Sequence, residues 1–323
     1  MRALQITSYD GPDAAAITDI PEPEAGGGVL FDVRCAGVSF PDVLLARGLY
    51  QTPSLPPYVG GVEAAGVVVA APPESGLRPG DRVAAMTPAG GAWAQRAVAD
   101  PRVTFPIPDG LGFAEGAGLV LNYWTAWFAL VDRGMLRAGE SVVVHGAAGG
   151  LGTAVLQVAA ALGARPVAVV STEEKAAVAL RAGATDAVRS DGPWRDEVRE
   201  MTRGGADMVV DPVGGDRFTD SLRCLCPGGR VVVVGFTAGA IPEVKVNRLL
   251  LRNVSVIGAG LDRWWDGRPE EMVRIGAEVS RLAETGAIAP VVGRRFPLGG
   301  GADAMRLLEG RGAVGKVVLD VEG

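Results

Sequence analysis

Histidine and cysteine are almost absent from this sequence: one histidine, His145, and three cysteines, Cys35, Cys224 and Cys226, occur in 323 residues. A zinc site built from this chain alone is nearly excluded, since zinc is usually held by about four thiolate, imidazole or carboxylate ligands brought together. A disulfide framework is excluded for another reason: a chain of this length buries enough core to fold without covalent staples. Lysine is scarce as well, at Lys175, Lys245 and Lys316 only, so arginine carries most of the positive charge. The net charge of −6 argues against a general binder of nucleic acid or of a membrane surface, either of which would need a basic face. Hydrophobic residues at 48% and charged residues at 21% are a globular composition, and the length suits about two domains.

Long apolar runs are few. The N-terminal MRALQITSYD has none after its charge, so no export signal is expected, and with cysteine so sparse a cytoplasmic protein is predicted. Residues 141–164 carry no charged side chain over 24 positions, but they contain HGAAGGLG. Its glycines break the run into a strand, a tight loop and a helix, and basic or aromatic anchors are missing from its flanks, so it is not read as a membrane span.

The first 120 residues read as short strands separated by turns. VLFDVRCAGV (29–38), AAGVVVAA (64–71) and DRVAAM (81–86) are apolar or alternating, and EAGGG, LPPYVGG, PPESG and RPGD bound them. Several strands at this spacing predict a small barrel or sandwich. From Gly118 the apolar residues recur at helical spacing through NYWTAWFALVDRG, and a strand–helix rhythm runs on to about residue 258. Its strand candidates are SVVVHG (141–146), RPVAVVS (165–171), ADMVVDPV (206–213), GRVVVVGF (229–236) and NVSVIG (253–258). Most are continuous valine-rich runs, as parallel strands covered on both faces require. A helix pattern at 269–286 and a strand-like run at 315–321 follow.

SVVVHG runs directly into AAGGLG and then into TAVLQVAAALGA. A helix that starts after a glycine-rich loop offers unpaired N–H groups and the positive end of its dipole to a phosphate. Gly149 and Gly152 take the second and third glycine places of G-x-G-x-x-G, with Ala147 in the first and Gly150 as an extra small residue. The strand–loop–helix context predicts a dinucleotide site, the alternative being a tight turn in some other doubly wound protein. An NAD site usually places an acid at the end of the second strand; here the strand ends in Ser171-Thr172-Glu173-Glu174-Lys175. Hydroxyls with a lysine suit a 2′-phosphate, so NADPH is expected ahead of NADH, and Glu173 and Glu174 are the acidic start of the next helix. His145, beside the loop, is read as structural rather than catalytic.

AGVSFPDVLLARGLYQTPSLPPYVGGVEAAGVV, NYWTAWFAL, SVVVHGAAGGLGTAVLQVAAALGA, STEEKAA and GKVVL together resemble the quinone oxidoreductase branch of the medium-chain dehydrogenase/reductases, to which zeta-crystallin belongs. The resemblance implies an α/β architecture: a GroES-like β-barrel catalytic domain of residues 1–120 and 260–323, with a Rossmann cofactor domain of residues 121–259 inserted in it. Zinc-dependent relatives carry a cysteine ligand in G-[VI]-C-x-x-D and a histidine ligand in G-H-E. Here those segments read Gly37-Val38-Ser39-Phe40-Pro41-Asp42 and Gly61-Val62-Glu63. Serine and valine do not replace thiolate and imidazole on zinc, so a metal-free enzyme is expected, with Glu63 in a structural hydrogen-bonding role.

Carried over position by position, the resemblance implies that Ala147, Gly149, Gly150, Leu151 and Gly152 line the pyrophosphate and that Ser171 and Lys175 hold the 2′-phosphate. Val213, Gly214, Gly235 and Phe236 border ribose and nicotinamide, and Thr125 lies near the nicotinamide. Tyr50 is the candidate donor to the substrate oxygen. Ser39 stands where many members have asparagine, and Arg189-Ser190 where many have Asn-Tyr; Arg189 is a substitute phosphate partner. Trp264 and Trp265 are read either as a roof for an aromatic substrate or as packing.

The function expected is NADPH-dependent hydride transfer to a quinone or similar conjugated carbonyl, an acceptor electrophilic enough to need no Lewis acid. The alternatives are an enoyl reductase acting on unsaturated ketones or thioesters, and an NADPH-binding sensor or structural protein without turnover; a methyltransferase is a third reading of any glycine-rich doubly wound fold. The valine-rich late strands predict an edge that pairs with its copy in a homodimer.

Overall fold

In the computed structural model, which describes residues 1–261 and 268–321, the chain forms two compact units, Met1–Trp124 with Arg268–Gly323 and Thr125–Gly267. Trp264 and Trp265 lie outside the described residues. Strands β1 (Arg2–Ile6), β2 (Ala15–Asp19) and β3 (Val29–Val38) lead to helix α1 (Phe40–Ala46). Strands β4 (Tyr58–Val59), β5 (Glu63–Ala70), β6 (Arg82–Met86), β7 (Arg96–Ala99) and β8 (Thr104–Pro106) come next, then helices α2 (Phe113–Leu119) and α3 (Leu121–Trp127). Strand and helix then alternate through β9 (Ser141–His145), α4 (Gly150–Ala161), β10 (Arg165–Val170), α5 (Glu173–Arg181), β11 (Asp186–Arg189), α6 (Trp194–Met201) and β12 (Ala206–Asp211). The alternation continues with α7 (Phe218–Cys224), β13 (Leu225–Val233), α8 (Asn247–Arg252) and β14 (Ser255–Gly258). Helix α9 (Pro269–Glu284), β15 (Val292–Pro297), α10 (Gly301–Glu309) and β16 (Lys316–Asp320) complete the described chain.

The first unit is built on a sheet of order β15-β16-β3-β5-β6-β8, with β7 also paired to β3, beside a small sheet β2-β1-β4. The long strand β3 is its trunk. Val29, Phe31 and Val33 alternate inward, and from Cys35 to Val38 the strand is buried at every residue. Trp93 is wholly buried and donates its indole N–H to the Gly37 carbonyl at 2.9 Å, which satisfies the one polar atom of a large apolar side chain. Gly60 lies so close to this ring that a Cβ there would stand 2.2 Å from it. β16 returns late in the chain to pair antiparallel with β3, placing Val317 opposite Val38.

The second unit is a six-stranded parallel sheet of order β11-β10-β9-β12-β13-β14. Every residue of β9 is buried, and Val143, Val167, Val169, Val209 and Val231 share one apolar cluster with Trp194, Phe218 and Leu222. Continuous valine runs are thus explained by helices on both faces. The charge-free stretch 141–164 is β9, a turn and α4, and among the described residues no helix is long and apolar enough to cross a membrane. β14 is the outer strand on its side, mostly exposed along its length.

Candidate functional site

The strand order of the second unit runs outward from β9 to β11 and then reverses to β12, which opens a crevice at the carboxyl ends of β9 and β12. The loop after β9 enters it. Gly146 has φ +59°, the left-handed region, and its carbonyl accepts the Gly149 N–H at 3.0 Å, closing a tight turn over buried Ala147 and Ala148. Gly149 caps α4, whose first turn holds Gly150, Leu151 and Gly152. A Cβ on Gly152 would stand 2.3 Å from the Gly146 oxygen and 2.6 Å from the Ala147 Cα, so helix and loop meet as closely as only glycine permits. The sequence reading put the first small residue of the fingerprint at Ala147; the turn is made one residue earlier, by Gly146. The signal was the even spacing of glycines at 146, 149 and 152.

Two further loops meet this one. Asp211, buried at the end of β12, accepts the N–H groups of Val213 and Gly214 on one carboxylate oxygen, at 2.8 and 2.9 Å. Gly214 adopts φ +67° and ψ −146°, and a Cβ there would stand 2.9 Å from the Phe236 ring. Thr237 and Ala238 donate to the Pro212 and Val213 carbonyls at 3.0 and 2.9 Å, and a Cβ on Gly146 would touch the Val213 side chain. Ala147, Gly149, Gly150, Leu151, Gly152, Val213, Gly214, Gly235 and Phe236 therefore belong to one group of loops. Asp211, which shapes the second loop, was not singled out in the sequence; a lone acid ending a valine run was its only mark.

At the end of β10, the Lys175 ammonium reaches the exposed Ser171 hydroxyl at 3.4 Å. Thr172 caps α5 by accepting the Lys175 N–H at 3.2 Å, with Glu173 and Glu174 in the first turn. Arg189 pairs with Val170 across the sheet, and its guanidinium binds Glu173 at 3.2 Å and Asp191 at 3.0 Å. It stands beside the Ser171–Lys175 group, already held by two carboxylates. His145 is a core residue: its Nε2 meets the Ser221 hydroxyl at 2.9 Å, its ring stands edge-on to Trp194, and burial pushes its pKa below the ordinary value. Burial also pushes the Cys35 and Cys224 thiols up to about 12, far from the thiolate a nucleophile needs.

The first unit holds a different kind of site. Ser39 precedes α1, its N–H donating to the Asp42 carboxylate at 2.7 Å. Its hydroxyl accepts from the Lys316 ammonium at 2.5 Å and donates to Glu63 Oε1 at 3.3 Å. Lys316 also pairs directly with Glu63 Oε1, and Glu63 Oε2 accepts the Leu121 N–H at 2.8 Å, at the start of α3. All four side chains are buried. Burial pushes the Asp42 carboxyl up to about 7, against the Ser39 N–H and the Lys316 charge. Lys316 is at the start of β16, where pairing of Val317 with Val38 sets it beside Ser39. Its part was missed in the sequence, though an isolated lysine opening the apolar run KVVL was a readable signal. Tyr50 is half-buried in the loop after α1, and Thr125 is half-buried on α3. No group of three or more His, Cys, Asp or Glu suited to a metal ion occurs among the described residues.

Comparison with known proteins agrees with this architecture. Residues 25–109 match the alcohol dehydrogenase GroES-like domain and residues 150–276 the domain described as zinc-binding dehydrogenase. The chain is 31% identical to the human quinone oxidoreductase, over 99% of this chain and 97% of that protein. A crystal structure of a probable oxidoreductase from Mycobacterium abscessus superposes with a TM-score of 0.90 at 41% identity, covering 99% of both chains. The quinone oxidoreductase of Thermus thermophilus, solved alone and with NADPH, superposes with a TM-score of 0.85 at 35% identity, over 99% of this chain and 100% of that one. The chain belongs to the quinone oxidoreductase-like oxidoreductases of the medium-chain dehydrogenase/reductase superfamily.

Proposed function

We propose that this oxidoreductase uses NADPH to reduce a quinone or similar conjugated carbonyl, with no resident metal. The observation that carries the reading is the glycine turn packed against α4 together with the Ser171–Lys175 pair at the end of the next strand. The first N–H groups of α4 have no acceptor within the helix, and the Gly146–Gly152 approach brings backbone rather than side chain to the crevice, which fits a pyrophosphate. Ser171 and Lys175 offer a hydroxyl and an ammonium where a 2′-phosphate would lie, and Arg189 holds the neighbouring Glu173 and Asp191 carboxylates. The Thermus relative, solved with NADPH, supports the same choice.

Bound there, NADPH supplies the hydride, which with one proton converts the quinone to its reduced form. The chain's own residues bind and orient. Ala147, Gly149, Gly150, Leu151 and Gly152 hold the pyrophosphate, while Val213, Gly214, Gly235, Phe236 and Thr125 border ribose and nicotinamide. Tyr50 and Ser39 offer hydroxyls to the acceptor oxygen as negative charge builds on it. Where zinc-dependent relatives carry ligands this chain has Ser39 and Val62, and a Lys316 ammonium already bonded to Ser39 and Glu63, which supports a reaction without a Lewis acid. In this reading residues 1–120 and 260–323 form the catalytic domain and residues 121–259 the cofactor domain. A cytoplasmic homodimer formed along β14 is part of it, supported by the exposed strand and by Leu250 and Leu251, at 75% and 77% exposure on neighbouring α8.

NADPH oxidation with 1,4-benzoquinone, 9,10-phenanthrenequinone and a crotonyl thioester tests the proposal. Turnover with the quinones is expected. Turnover with the thioester alone would make the protein an enoyl reductase, and tight NADPH binding with no turnover across the panel would make it a sensor or structural protein.

A further inference from the structure

Lys316 carries a cost that needs explaining. A lysine and a glutamate buried together lose their hydration, and an apolar pair of the same volume is often as stable or more so. Stability alone therefore gives little reason for the pair, whereas its geometry around Ser39 gives a specific one. The Ser39 oxygen accepts a charge-assisted hydrogen bond from Lys316 at 2.5 Å, while the hydroxyl proton is held by Glu63 only at 3.3 Å. The oxygen is thus gripped by its lone pair and the proton is held loosely. Donation by an ammonium into a hydroxyl oxygen polarises the O–H bond and strengthens what it can donate in turn. Glu63 cannot drift from this arrangement, because its second oxygen is fixed by the Leu121 N–H at 2.8 Å.

We propose that Lys316 is a positioning residue for hydride transfer: its buried ammonium orients and polarises the Ser39 hydroxyl so that Ser39 donates a hydrogen bond to the acceptor oxygen as charge develops there. The inference rests on the reading that Ser39 meets the substrate. Lys316 itself touches neither substrate nor cofactor, and its effect passes entirely through Ser39.

The test is a cycle of variants assayed with whichever conjugated acceptor, quinone or enone, the wild type reduces fastest. Lys316→Met alone leaves the Glu63 carboxylate buried without its partner and risks misfolding, so Lys316→Met/Glu63→Gln is made as well, which removes both charges. The double variant is expected to keep its NADPH dissociation constant and thermal midpoint while kcat falls on the order of tenfold to a hundredfold, the usual consequence of a misplaced group near the reacting atoms. Ser39→Ala is expected to lower kcat by a similar factor in the wild type and by little in the double variant, since two residues acting as one unit are not additive. Wild-type kcat in the double variant would overturn the proposal, and so would a full, additive Ser39→Ala loss on top of it. A wild type that reduces enones but not quinones would instead overturn the quinone reading and leave the Lys316 test intact.

Discussion

The two groups of residues assigned to function are built in opposite ways. In the second unit, the loops at the carboxyl edge of the parallel sheet are shaped by backbone: three glycines three residues apart, a left-handed turn at Gly146, and the Asp211 carboxylate gathering two successive N–H groups. The cationic side chains near them, Lys175 and Arg189, stand at the surface on helix and strand ends. In the first unit, the Ser39 group is made mainly of side chains, four buried polar residues bonded to one another and to the Ser39 and Leu121 N–H groups. A backbone site fails when a Cβ is added. A buried ionic site fails when one partner is taken away.

That contrast predicts a ranking of damage. Glu63→Ala strands the Lys316 ammonium in the core and is expected to cost about 3–5 kcal/mol, read as a drop in the denaturant midpoint; a loss below 1 kcal/mol, roughly that of an exposed pair, would show that the pair is not buried in solution. Gly152→Ala pushes a methyl against the Gly146 carbonyl and is expected to cost about 1–3 kcal/mol through overpacking, with NADPH binding lost in a fluorescence titration. Normal NADPH affinity in this variant would break the backbone description of the loop. Lys175→Ala removes one charge-assisted contact, worth about tenfold in NADPH affinity, with NADH affinity unchanged. An equal loss for both nucleotides would detach Lys175 from the 2′-phosphate.

The smallest effect concerns Asp42. Its folded carboxyl titrates near 7 because of burial, above its unfolded range, so the folded state holds the proton that the unfolded state has released. Stability from this group is present below pH 4 and lost as pH rises through 7. Between pH 6 and 8 the wild type is expected to lose about 1 kcal/mol relative to Asp42→Asn, measured by parallel denaturant titrations at the two pH values. A difference that does not change with pH would mean that Asp42 is already charged at pH 6.

Legibility followed the same divide. The valine runs that became β9, β10, β12 and β13 were visible because a strand covered on both faces leaves no polar residue to break the pattern. β3 was read to its ends, since the glycines of EAGGG precede it and the Ser39 cap of α1 follows it at once. β1, β2, β4, β7, β8 and β15 were not read; the last, VGRRFP, is mostly exposed and shows no apolar alternation to find. The glycine loop was legible as glycine spacing, although its turn is made at Gly146 and not at Ala147, because a left-handed φ belongs to the fold and is not written in the letter G. Ser39 and Glu63 were found through the segments that hold ligands in zinc-dependent relatives, and Lys316 was not, because 277 residues separate it from Ser39.

By itself the sequence determined that no cluster of imidazoles and thiols organises this protein, that a doubly wound fold lies within it, and where the glycine loop after its first strand falls. Those are properties of composition and of local spacing, which short-range sterics and periodic burial translate directly into structure. Only the tertiary structure decided what stands beside Ser39. The pairing of β16 with β3 brings one of three lysines into a buried contact with Glu63, and no local rule links a lysine near the end of the chain to a serine near its beginning.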